Sequence, residues 1–184
     1  MKYDGLRHVI RGLIDGSLST LGVIIGASGA SPAIIITAGL GGGVANGLSN
    51  VLGAFTAERA RMEMEISELE KAMLKMGQLR GTVLHEKAKK KTYIGGISDG
   101  LSTILGSVIP VIPFLLMYPL GYSRDFAMLL SVSVTIFLLF FLGVYLGKLS
   151  RENIAIAGVK MALIGLCTAI ICTIVEKSFS ALLS

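Results

Sequence analysis

Residues 95–114 read GGISDGLSTILGSVIPVIPF, an apolar run that carries a carboxylate, Asp99, followed at once by a glycine. Near the N-terminus residues 11–26, RGLIDGSLSTLGVIIG, do nearly the same with Asp15. Two Asp-Gly steps, each leading into a Ser-Thr pair, look like one design used twice. The apolar runs around them approach the length of about 20 residues that a helix needs to cross the hydrocarbon core of a bilayer. Reading them as membrane spans decides the fold.

Composition supports that reading. The chain of 184 residues is 53% hydrophobic and 16% charged, with a mean hydropathy of +0.75. A soluble domain carries about 25% charged residues. The 23 glycines crowd into the apolar runs, where small residues let membrane helices approach closely. Trp is absent, so an interfacial aromatic belt rests on Tyr and Phe. Arg11 and Asp15 interrupt the first apolar run, which argues against a cleavable signal peptide. Cys167 and Cys172, five apart in an apolar run, fit neither a metal pair nor a redox motif, and are expected as small buried residues.

Five spans emerge, at about residues 9–30, 33–54, 94–117, 126–146 and 154–175. The expected fold is an all-α membrane protein of five transmembrane helices, with a short amphipathic cytoplasmic helical segment between the second and third spans. It divides into a hairpin of spans one and two (1–55), the cytoplasmic Glu/Met/Lys-rich segment (56–92) and spans three to five (93–184). Arg59, Arg61, Lys71, Lys75, Arg80, Lys87, Lys89, Lys90 and Lys91 fall on the connecting segment, and positive charge on a short loop marks the cytoplasmic side. Lys2, Arg7, Lys148 and Arg151 then share that side. This predicts a multi-pass protein with the N-terminus cytoplasmic and the C-terminus outside, in a prokaryotic cell membrane. The net charge of +5 is a topology signal, reinforced by anionic lipid, and calls for no nucleic acid.

Ionisable groups inside a span are costly, face protein or water, and are functional candidates by default. Asp15 is the leading one. Arg11, one turn earlier, is placed to pair with it, and Ser19 and Thr20 offer further oxygens. Asp99 admits two readings, a second pathway carboxylate or the N-cap of a helix beginning at Ser98-Asp99-Gly100. Asn46 and Asn50, four apart on one face, either glue helices together or offer carbonyl oxygens to a cation. Pro110 and Pro113 free backbone carbonyls and predict a bent segment beside a pathway, or a bend that serves packing alone. Lys160 is expected to snorkel to the inner face.

Residues 58–81, ERARMEMEISELEKAMLKMGQLRG, predict a helix with an apolar stripe of Met62, Ile66, Leu69, Met73 and Met76, ended by Gly77 and Gly81. Glu58, Glu65 and Glu68 with Met62 are candidate metal ligands, since carboxylates and thioethers both bind divalent first-row metals. A solvated Glu/Lys face over a packing stripe is the competing reading. His85 and Glu86 follow and are placed to fold back.

These stretches resemble the vacuolar iron transporter family. RGLIDGSLSTLGVIIGASGA is similar to that family's first span, GLSNVLGAFTAER (47–59) to the end of its second, and GSVIPVIPF (106–114) to its proline-containing third. The resemblance implies a homodimer whose ion path runs along the interface, lined by the first spans. It also implies export of Fe²⁺ or Mn²⁺ from the cytoplasm in exchange for protons, with the metal as transported ion and no permanently bound cofactor. Asp15 matches the family's pathway carboxylate, and Asn50 falls where the family commonly has methionine. Two alternatives are a same-architecture carrier of a different substrate and a non-transporting membrane interaction protein. No nucleophile–base set, cofactor loop or metal-hydrolase motif is visible, so an enzyme is not expected.

Overall fold

A computed structural model describes residues 2–72, 83–150 and 152–183, with the side chains of 2–4, 58, 83–92 and 183 outside the description. Five helices follow in order: α1 (Lys2–Gly26), α2 (Pro32–Ala72), α3 (Val83–Leu120), α4 (Arg124–Ser150) and α5 (Ile154–Leu183). Each is long and apolar enough to cross a membrane.

The ends are chemically specified. Ser123 Oγ accepts from Phe126 N at the start of α4, and Asn153 Oδ1 accepts from Ala155 N and Ile156 N at the start of α5. These are N-caps, which satisfy amide donors that a first turn leaves open. α3 stops where Gly121 takes a φ of 69° and its N–H bonds to Met117 O at 2.9 Å, a left-handed cap that favours glycine.

The second span and the segment after it are one helix. α2 runs 41 residues without a break at 55–58, about 60 Å at 1.5 Å per residue. The expected separate helix from residue 58 is thus the continuation of the span. No Gly or Pro lies between Ala54 and Ala72 to stop it. α3 likewise begins at Val83, ahead of the span start expected at residue 94. Ile66 is buried and Met62 half-buried, as the apolar stripe predicts, whereas Leu69 is exposed. Met73, Met76, Gly77 and Gly81 lie outside the described residues.

Helix packing explains the glycine beside each aspartate. A Cβ on Gly16 would collide with the Thr103 carbonyl, and one on Gly12 would lie 2.8 Å from Ser102 Cβ. Across the same seam, a Cβ on Gly106 would lie 2.8 Å from Leu13 Cα. α1 and α3 therefore meet backbone to backbone. α2 joins them through Gly47 and Gly100: a Cβ on Gly47 would lie 2.9 Å from Gly100 O, and one on Gly100 would lie 2.6 Å from Gly47 O. α4 and α5 form a second glycine-mediated pair, in which a Cβ on Gly143 would lie 2.6 Å from Ala157 O. The end of the bundle away from the long extensions of α2 and α3 is sealed by Ile24, Ile35, Val111, Phe114 and Ala127, contributed by α1 to α4. The cysteines are not core residues: Cys167 is exposed on α5 and Cys172 is half-buried beside Gly22.

Pro110 and Pro113 sit inside α3 and are fully buried, whereas Pro119 in its last turn is exposed. Pro110 has no N–H for the carbonyl of Gly106, and Ser17 Oγ on α1 lies 3.1 Å from that oxygen. Ser17 Oγ is also 2.7 Å from Leu13 O, so one hydroxyl proton serves two acceptors. The carbonyls of Pro110 and Pro113 accept from Ser131 and Tyr122. Most other hydroxyls bond their own helix, as Ser102 does to Ser98 O, which keeps them satisfied in a water-poor setting.

The α1–α3 seam generates a test. Gly16→Val is expected to lower detergent-solubilised stability by about 1–3 kcal/mol through overpacking. Gly26→Ala, where a Cβ meets nothing within 4 Å, is expected to stay within about 0.5 kcal/mol. Thermal unfolding of the two variants side by side checks the difference.

Candidate cation site at the junction of α1, α2 and α3

Asp15 lies inside the apolar stretch Gly5–Gly26 of α1, ten residues after Gly5 and eleven before Gly26. Its side chain is half-buried where the glycine contacts draw the three helices together. Asn46 Nδ2 donates to Asp15 Oδ2 at 3.0 Å, and Asn50 Nδ2 donates to the same oxygen at 2.6 Å. The amides are turned as an ionised carboxylate requires, because it only accepts hydrogen bonds.

Each amide spends its second proton on a hydroxyl. Asn46 Nδ2 donates to Ser19 Oγ at 2.9 Å, and Asn50 Nδ2 to Thr103 Oγ1 at 3.0 Å. Thr103 Oγ1 then donates to Asp99 O at 2.9 Å. Asp15 is thus tied through α2 to α3 by neutral groups. Asp15 Oδ1 and the two amide Oδ1 atoms take no hydrogen bond among the described residues. An oxygen-only set with one formal charge suits a hard or borderline cation better than a soft one.

Asp99 is not a helix cap. It lies inside α3 and is 1% exposed. Arg11, expected to pair with Asp15, instead reaches across to α3. Its Nε donates to Asp99 Oδ1 at 3.2 Å, and its Nη2 pairs with Oδ2. The reason is geometric: the Gly12 contact brings the backbone of α3 at Asp99 and Ser102 against α1 within one residue of Arg11. A planar guanidinium then meets a carboxylate through two atoms.

The remaining candidates lie elsewhere. Pro110 and Pro113 belong to the apolar end of the bundle and do not join the hydrogen-bonded set around Asp15. Glu65 is exposed and accepts from Arg61 Nε at 2.9 Å, and Glu68 is exposed. Met62 is half-buried on α2, while the side chains of Glu58, His85 and Glu86 lie outside the description. Among the described residues no three His, Cys, Asp or Glu side chains gather as a metal would require. Thr20, grouped with Ser19 in the sequence, is separated from it: its Oγ1 is buried without a partner.

The network carries a stability prediction. Asn50→Leu removes a donor to a charged group and one to Thr103, and is expected to cost about 1.5–3 kcal/mol. Ser49→Ala, one residue away on the exposed side of α2, is expected to stay within about 0.5 kcal/mol. Unfolding midpoints in detergent measure both.

A sequence model described as the VIT family matches residues 6–79 and 73–177. A protein of Methanocaldococcus jannaschii, itself described as uncharacterized, is 51% identical over 178 residues, covering 96% of this chain and 91% of that protein. The five spans, the intramembrane carboxylate and the match along nearly the whole chain converge: the protein is a multi-pass membrane protein that belongs to the VIT family, a family of metal-ion transporters rather than enzymes.

Proposed function

We propose that the protein exports a divalent first-row cation, Fe²⁺ or Mn²⁺, from the cytoplasm in exchange for protons, with Asp15 as the group that alternates between metal and proton. The observation that carries this reading is the Asp15 carboxylate inside the apolar stretch of α1, bonded by amides alone. An ionisable group there is costly unless it serves a path. Its charge is not cancelled by a cation at ion-pair distance among the described residues.

The step follows from the donors. In this structure the Asn46 and Asn50 amides point their nitrogens at Asp15. A half-turn of either side-chain amide exchanges its nitrogen for its oxygen, and a cation on Asp15 then gains a neutral oxygen ligand. Protonation of Asp15 removes the charge that holds the cation and favours release. Two further oxygens, on Ser19 and Thr103, stand beside the amides.

A homodimer is part of the same proposal. α2 leaves a stripe of small residues uncovered, Gly41, Ala45, Ser49 and Gly53, at every fourth position. Small residues at that spacing suit a close helix crossing. The stripe runs beside Asn46 and Asn50, so a second copy seated there would bring two Asp15 sites toward one axis. The stretch of α2 from Ala54 to Ala72, with Glu65 and Glu68 exposed, extends on the side read as cytoplasmic and would raise the local cation concentration.

In proteoliposomes, Asp15→Asn is expected to lower Fe²⁺ and Mn²⁺ flux by about tenfold or more, the worth of one charge-assisted contact. A trapped pH dye is expected to report proton movement opposite to the metal. Asp15→Asn flux equal to wild type contradicts the assignment of Asp15, and metal flux without proton movement contradicts the exchange.

A further inference from the structure

Arg11 and Asp15 stand at the i,i+4 spacing at which opposite charges meet on one helix, yet they do not pair. The guanidinium turns to α3 and grips Asp99 through Nε and Nη2. The two partners differ in freedom. Asp99 is 1% exposed and fixed inside the helix junction, whereas the Arg11 side chain is 63% exposed. Arg11 is therefore a cation on a long, accessible stem, one turn from the carboxylate read above as the cation site.

We infer that Asp99 is a positioning residue that holds Arg11 on α3, keeping a tethered cation off Asp15 and so leaving the Asp15 charge free for the transported metal ion. The inference rests on the reading of Asp15 as a cation site. A guanidinium inside a membrane span seeks the nearest carboxylate, because leaving it unpaired there is costly. With Asp99 in place that carboxylate is on α3. With Asp99 neutral, the nearest one is Asp15, within reach on the same helix face. An Arg11–Asp15 pair would occupy the carboxylate oxygens and cancel their charge. Asp99 touches no transported ion in this account; it acts by where it keeps Arg11.

A purely structural latch between α1 and α3 makes a different prediction, because it needs both partners. Asp99→Asn is expected to raise the Mn²⁺ concentration for half-maximal proteoliposome flux by about tenfold or more, since an opposite charge at ion-pair distance outweighs one factor of ten. Arg11→Gln/Asp99→Asn, which lacks the latch but also the free cation, is expected to return within about threefold of wild type. Charge added after folding gives a second readout that does not depend on Asp99→Asn folding alone. In a background with Cys167→Ala and Cys172→Ala, R11C/D99N is labelled with an aminoethyl thiosulfonate, which restores a positive charge, or a methyl thiosulfonate, which does not. Only the charged label is expected to weaken Mn²⁺ flux. Wild-type affinity in Asp99→Asn, a double variant as impaired as the single one, or equal effects of the two labels would each overturn the inference. Wild-type protein that moves neither Mn²⁺ nor Fe²⁺ overturns the cation-site reading itself, an outcome separate from those three.

Discussion

A carboxylate inside a membrane span has to be paired, hydrogen-bonded or wet, and that requirement organises the half of this bundle that holds Asp15 and Asp99. The two aspartates meet it in opposite ways. Asp99 is sealed between helices and neutralised by Arg11. Asp15 is half-buried and held by amide donors that leave its charge in place. One satisfies the constraint by cancellation and the other by solvation with protein dipoles. Only the second arrangement leaves a group able to exchange one positive partner for another.

Backbone proximity makes both arrangements possible. The glycine after each aspartate, with Gly12, Gly47 and Gly106, removes the side chains that would hold the helices apart. Polar side chains as short as Asn, Ser and Thr then reach across. In lipid, association of apolar helices has no hydrophobic drive, so close packing and interhelical hydrogen bonds carry more of the burden. The same logic extends to the proline segment: Ser17 supplies a donor to the carbonyl that Pro110 leaves open. The other half, closed by Ile24, Ile35, Val111 and Phe114, is apolar. Polarity thus changes along the bundle axis, with the carboxylates on the side of the long helical extensions of α2 and α3.

Much of this was legible in the chain because hydropathy and helical spacing are local. Five apolar runs became five helices, and Asn46 and Asn50, four apart, do share a face and a partner. What was not legible depended on contacts between helices. Arg11 sits at the spacing for Asp15 but pairs with Asp99, because the Gly12 contact brings α3 into reach and no periodicity in α1 encodes that. Ser19 and Thr20 look alike in sequence, yet Ser19 accepts from Asn46 while Thr20 is buried against Gly39 and Gly43 of α2 with no hydrogen-bond partner. Ser17 gave no signal of its own. Its role exists only because Gly106, 89 positions away, lacks a donor. The continuous α2 was missed for another reason: a composition shift from apolar to charged reads as a boundary, while helix propensity runs straight through it.

The most direct test of the central claim is anomalous diffraction from crystals of the full chain soaked with Mn²⁺. A peak within about 2.5 Å of an Asp15 carboxylate oxygen, the range for oxygen coordination of hard cations, with the Asn46 or Asn50 amide oxygen turned toward it, is the predicted result. Density confined to the exposed glutamates of α2, with Asp15 still bonded only by amide nitrogens in protein that transports Mn²⁺, would contradict it.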